Sequence, residues 1–124
     1  MIRWIVLGLL AAAAPAAAQI VETEERRVSS AGGAVLRALD KVAGAVEDVE
    51  MSVGETRQFG RLDLTLGDCR YPGDNPSGDA YAYLTVRETG EDVTAFEGWM
   101  IASAPALNAL EHPRYDVWVM RCRI

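Results

Sequence analysis

The sequence predicts an all-β protein, a compact β-sandwich or small barrel of six to seven strands with one short helix. Three observations predict it. Leu62, Leu64 and Leu66 alternate with Arg61, Asp63 and Thr65, and Ala82, Leu84 and Val86 alternate with Tyr81, Tyr83 and Thr85, the two-residue period of strands with one face in a core. Glycine, proline, asparagine and aspartate interrupt the chain at short intervals and leave room for only one brief helical run. Two cysteines, Cys69 and Cys122, sit in separate strand-like segments of a chain that begins like an exported protein, so they are expected to form a disulfide.

Residues 1–18 carry one basic residue, Arg3, then a short apolar run, then small residues at Ala16 and Ala18. This is the pattern of a secretory signal peptide cut between Ala18 and Gln19, and the expected location is the periplasm. The apolar run is too short to span a bilayer, so no membrane insertion is expected after cleavage. The net charge of −6 becomes −7 once Arg3 is removed. Such a surface repels phosphate backbones, and nucleic acid is not an expected partner. Residues 19–33 are polar, with Glu22, Glu24, Glu25, Arg26, Arg27 and the Gly32-Gly33 pair, and are expected to form a disordered tail. Residues 34–124 are expected to form a single β-rich domain.

Residues 34–43 fit either period: Val35, Leu36, Leu39 and Val42 suit a helix, while the short length and Gly44 suit a strand entering a turn, the favoured reading. Val49, Met51 and Val53 alternate with charged or small residues and predict the next strand, and residues 56–59 a short one. Strict alternation from Leu62 would bury Asp68 and expose Cys69. Gly67 is therefore read as a β-bulge that shifts the phase and turns Cys69 inward. The run Tyr71-Pro72-Gly73-Asp74-Asn75-Pro76-Ser77-Gly78-Asp79 is an expected loop. Strands follow at residues 80–88 and 93–101, joined by a turn at Thr89-Gly90-Glu91-Asp92. Ser103 as N-cap, Pro105 in the first turn, and Leu107 and Leu110 facing the core predict a helix over residues 103–110. The last strand, residues 115–122, is expected to place Trp118, Met120 and Cys122 on one face and Val117 and Val119 on the other.

Four runs resemble a known family, the small secreted bacterial proteins of domain of unknown function 2155. They are Leu36-Arg37-Ala38-Leu39-Asp40-Lys41-Val42-Ala43-Gly44, Phe59-Gly60-Arg61-Leu62, Gly98-Trp99-Met100-Ile101-Ala102-Ser103-Ala104-Pro105, and Leu110-Glu111-His112-Pro113-Arg114-Tyr115-Asp116-Val117-Trp118. The resemblance covers residues 35–122. The chain departs from the family pattern at Ala43, usually threonine, at Ala104, usually a second serine, and at Arg114, usually apolar. The resemblance implies export to the envelope of a Gram-negative bacterium, a β-rich fold and the cysteine pair, and it implies no activity.

His112 lies between Glu111 and Asp116, the arrangement a general base and its orienting acid would use, with Ser103 as nucleophile. No nucleophile elbow surrounds Ser103, and a His-Pro turn accounts for His112, so no catalytic residue is assigned. One histidine and scattered carboxylates make a poor metal set, and Asp74, Asn75 and Asp79 lack the spacing of a calcium loop. No metal or cofactor is expected. Lys41 beside Asp40 reads as a charge pair at a turn. Tyr81, Tyr83 and Trp99 fall on the strand face opposite the apolar one, where they form either a docking platform or the core beneath a second layer.

The expected function is that of a non-enzymatic periplasmic module binding another envelope protein, through Tyr81, Tyr83 and Trp99 or through the loop carrying His112 and Tyr115. A cell-wall glycan stacking on the same aromatics is the alternative, and a small hydrolase using His112 a third reading.

Overall fold

The computed structural model describes residues 27–124, which form eight strands and no helix. These are β1 (Val28–Ser30), β2 (Gly33–Asp40), β3 (Ala45–Ser52), β4 (Thr56–Phe59), β5 (Leu62–Pro72), β6 (Tyr81–Glu88), β7 (Thr94–Ile101) and β8 (Tyr115–Arg123). All pairings are antiparallel, in two sheets that do not close into a barrel. One sheet runs β1-β5-β6-β7, with β4 on the same edge of β5 as β1; the other runs β3-β2-β8. The expected signal peptide, residues 1–18, lies outside the described residues. The count exceeds the expected six to seven because β1 falls within the segment expected to be a disordered tail. There Ala31 N–H donates to Cys69 O at 2.8 Å and Gly73 N–H to Arg27 O. Composition reports how little β1 buries, and it is blind to a neighbouring strand that satisfies the backbone.

The core lies between the sheets. Leu62, Leu64 and Leu66 of β5 and Ala82, Leu84 and Val86 of β6 face Ala34, Leu36 and Ala38 of β2 and Val117 and Val119 of β8, all buried. The first seven residues of the ambiguous segment, 34–40, lie in strand β2, as favoured, because Leu36 and its neighbours pair with β3 and β8 on both sides, and residues 41–44 form the turn that follows.

Two slips of register carry the cysteines into this core. In the β5–β6 ladder the register shifts between Leu66 and Asp68, as expected for a bulge at Gly67, and Cys69 is fully buried. A Cβ on Gly67 would come within 2.9 Å of the Tyr83 ring, so the bulge site is also a close approach. In the β2–β8 ladder Leu36 pairs with Val119 but Val35 with Arg121, which makes Met120 the extra residue. The expected division of β8 is corrected accordingly: Tyr115, Val117, Val119 and Cys122 face inward, while Trp118 and Met120 lie half-buried on the outer side. Cys69 and Cys122 form the expected disulfide, with Cα atoms 5.8 Å apart, and join the two sheets.

The expected helix over residues 103–110 is absent and is replaced by turns. Its hydrogen bonds are isolated three-residue closures, Ala104 N–H to Ile101 O and Leu107 N–H to Ala104 O, both 3.1 Å. Pro105 contributes no N–H, and the Ser103 hydroxyl and N–H both bind Asp79 across the loop where a helix would use them as a cap. Leu110 is buried as expected, whereas Leu107 is 76% exposed. Asn108 donates from Nδ2 to Trp99 O at 2.9 Å, so this loop covers part of the outer edge of β7.

Asp40 is the one buried charged residue among those described. Its Oδ1 accepts from Val42 and Ala43 N–H, both at 3.0 Å, closing the β2–β3 turn, and its carboxylate is gripped by Arg114 Nε and Nη2. Asp40 therefore pairs with Arg114, and Lys41 reaches Asp116 at 3.5 Å and His112 O at 2.8 Å instead of pairing with its neighbour. The hydrogen bond from Arg114, aided by the turn amides, holds the Asp40 carboxyl at about 2. Tyr115 anchors the same end of the sandwich: its ring stands edge-on to Phe59 at 5.9 Å, and its hydroxyl accepts from Arg61 N–H at 3.1 Å. Gly60 has φ of +56°, and a Cβ there would sit 2.6 Å from the Tyr115 hydroxyl.

Three outcomes follow for stability. With the cysteines 53 positions apart in sequence, reducing the disulfide lowers unfolding free energy by about 4 kcal/mol in the chain-entropy model, read from denaturant melts with and without reductant; coincident melts contradict it. Gly60→Ala lowers stability by roughly 2 kcal/mol, through the strained φ and the contact with Tyr115, measured in the same melts. Asp40 is ionised in both folded and unfolded chains above about pH 4, and its contribution fades as pH falls towards the folded value of about 2. The melting-temperature gap between the natural protein and Asp40→Asn is therefore widest above pH 4 and narrows between about pH 4 and pH 2; a constant gap contradicts the assignment.

Candidate functional site

The strand period that buries Ala82, Leu84 and Val86 sends Tyr81, Tyr83 and Thr85 to the outer face of the five-stranded sheet. Register then decides their neighbours: Tyr83 stands opposite Trp99, Tyr81 opposite Ile101 on one side and Arg70 on the other, and Val28 opposite Pro72. No second layer of the described residues covers this face. The three aromatics singled out from the sequence are thus brought together, and Trp99 remains 37% exposed.

Their geometry is specific. The Tyr83 and Trp99 rings meet edge-on with centroids 5.3 Å apart and planes at 69°. Tyr83 donates its hydroxyl to Glu97 Oε1 at 3.1 Å, and this bond to a carboxylate pushes the phenol pKa above its ordinary value. The Arg70 guanidinium lies 5.2 Å from the centre of the Trp99 ring while its Nε binds Asp68 at 2.9 Å. Val28, Arg70, Tyr81, Trp99 and Ile101 line a shallow hollow of about 250 Å³. It adjoins a second, of about 550 Å³, bounded by Arg27, Pro72, Gly73, Asp74 and Asn75 and sharing Val28 and Tyr81 with the first.

Of the residues that complete this surface, Ile101 was legible, since it stands two positions beyond Trp99 on the same strand face. Arg70 becomes legible once the Gly67 bulge is placed. Val28 carries no such signal, because only the pairing of β1 with β5 brings it there.

The second candidate cluster is resolved differently. Tyr115 is a core residue, 2% exposed, and offers no surface to a partner. His112 is wedged against it, ring centroids 5.2 Å apart, and both of its nitrogens are occupied. Nδ1 accepts from Arg114 N–H at 3.0 Å and Tyr115 N–H at 3.3 Å, which places the ring proton on Nε2, directed to Glu88 Oε1 at 2.7 Å. The hydrogen bond from His112 holds the Glu88 carboxyl below its usual range. Asp116 and Glu111 do not bind the imidazole; Glu88, 24 residues away, does.

Ser103 is likewise engaged elsewhere, its Oγ and N–H both bonded to Asp79. Partial burial raises the Asp79 pKa, but hydrogen bonds from Ser103 and from Ala80 N–H outweigh it and leave the carboxyl below its usual range. Asn75 Oδ1 accepts from Ser77 N–H at 3.2 Å, ordinary turn chemistry. Among the described residues no three His, Cys, Asp or Glu side chains are grouped to hold a metal ion.

Comparison with known proteins places these features in a family. Uncharacterized protein RP359 of Rickettsia prowazekii (strain Madrid E) is 33% identical over 88 residues, which are 68% of this chain and 57% of that protein. This chain thus spans little more than half of its relative. No solved structure matches. Residues 34–122 match the family described as uncharacterized protein conserved in bacteria (DUF2155), which takes in both sheets from β2 to the second cysteine. The chain belongs to that family.

Proposed function

We propose that the protein is a non-enzymatic periplasmic module that binds another protein of the cell envelope through the outer face of the five-stranded sheet. The observation that carries this reading is the joining of Tyr81, Tyr83 and Trp99 with Val28 and Ile101 into one apolar surface left open to solvent. Rigid aromatics bury large area at low entropic cost, which is why they dominate protein interfaces. The export pattern of residues 1–18 motivates the location. Hydrolysis is disfavoured by the partners of the chemical groups: His112 is held by Glu88 and two amides, Ser103 by Asp79. A glycan stacking on Trp99 would compete with Arg70, which already lies over the ring.

Crosslinking of the tagged protein in intact cells, at its native level, tests this reading. The natural chain is expected to retain one envelope protein in stoichiometric amount, and a Tyr81→Ala/Trp99→Ala variant of unchanged melting temperature to retain about tenfold less or worse. Undiminished capture by the folded variant overturns the assignment of this face. Loss, in the same variant, of co-sedimentation with purified peptidoglycan but not of a protein partner would transfer the surface to a cell-wall glycan.

A further inference from the structure

Three loops meet at one end of the sandwich: the β4–β5 turn with Arg61, the β6–β7 turn with Thr89 and Glu91, and the loop before β8 with His112 and Arg114. They are locked to one another. Thr89 N–H donates to Arg61 O at 2.8 Å, Arg61 N–H to the Tyr115 hydroxyl, and His112 bridges to Glu88 at the end of β6. Between them lies a cavity of about 270 Å³ lined by Arg61, Glu88, Thr89, Glu91, His112, Arg114 and Tyr115.

The charges around it are balanced and only partly used. Glu88 is bonded to His112, and Arg114 commits Nε and Nη2 to Asp40 while its ring-facing guanidinium packs 5.3 Å from the centre of Tyr115. Arg61 and Glu91, on the same cavity, form no ion pair with each other or with any other described residue. A simple anion entering here meets Glu88 and Glu91, and a simple cation meets Arg61 and Arg114. A neutral sugar finds no open ring to stack on, since Tyr115 is buried and the His112 side chain is only 11% exposed. A ligand bearing both a carboxylate and an ammonium group meets a partner for each, with Arg61 as the planar fork for the carboxylate.

We propose that this cavity binds a compact zwitterion, an α-amino acid or a dipeptide, with its carboxylate on Arg61 and the free edge of Arg114 and its ammonium on Glu91 beside Glu88. The site is separate from the aromatic face and does not depend on what that face binds.

The test is a titration of the full mature chain, followed by amide NMR, with alanine and dialanine, and in parallel with N-acetyl-alanine, which lacks the ammonium, and alanine methyl ester, which lacks the carboxylate. Alanine or dialanine is expected to produce saturable shifts at the amides of Arg61 and of residues 88–91, leaving Trp99 unmoved. Each blocked compound, and each of the variants Arg61→Gln and Glu91→Gln, is expected to bind about tenfold more weakly, the equivalent of one charge-assisted contact. Both positions are exposed turn residues, and melting curves of the variants establish that they fold. Absence of saturable shifts at tens of millimolar, equal binding of the blocked compounds, or unchanged binding by both folded variants overturns the proposal.

Discussion

The bond between Cys69 and Cys122 depends on two departures from strand regularity. β5 and β8 belong to different sheets, and in each the alternation that buries the preceding residues would have turned the cysteine out to solvent. A bulge at Gly67 and another at Met120 each shift the side-chain phase by one position, so both thiols arrive in the space between the sheets. The two slips are complementary: either alone would leave one cysteine outside and the other unpartnered in the core. This covalent tie and the leucine and alanine layers beside it fix how the two sheets face each other.

The same bulge shapes the outer surface. After Gly67 the outward residues of β5 are Asp68 and Arg70, which lie beside Tyr83 and Tyr81, and Arg70 extends over Trp99. Gly67 itself has no side chain because the Tyr83 ring occupies that space. One phase shift thus does two things: it turns Cys69 inward to its partner, and it sets a guanidinium among the aromatics. Core and candidate site are opposite faces of the same strands, and substitutions near residue 67 disturb both.

The far end of the sandwich shows how groups suited to chemistry become structural. Asp40 closes the β2–β3 turn and holds Arg114; His112 accepts from the two amides that open β8 and donates to Glu88; Tyr115 receives the amide of Arg61 beneath Gly60. Each of these side chains satisfies a backbone group or charge that the turns would otherwise leave unpaired. What remains without an ion pair at that end is the outermost ring of charge, Arg61 and Glu91, and not the histidine singled out from the sequence.

The local periods in the sequence, with no tertiary information, determined the all-β class, the inward faces of β5 and β6, the bulge at Gly67 and the shared face of Tyr81, Tyr83 and Trp99. These are consequences of alternation, which depends only on neighbours along one strand. The disulfide was legible from the pairing of two cysteines with an export pattern. The bulge at Met120 was not, since no glycine marks it and it arises from how β8 aligns with β2. Nor were β1, whose three residues become a strand only against β5, the replacement of a helix by turns through Asp79 and Asn108, or the engagement of His112 with a glutamate 24 residues away. Those were decided by the tertiary structure, because a hydrogen bond or a strand pairing between distant segments depends on where the chain returns, and no local period encodes that.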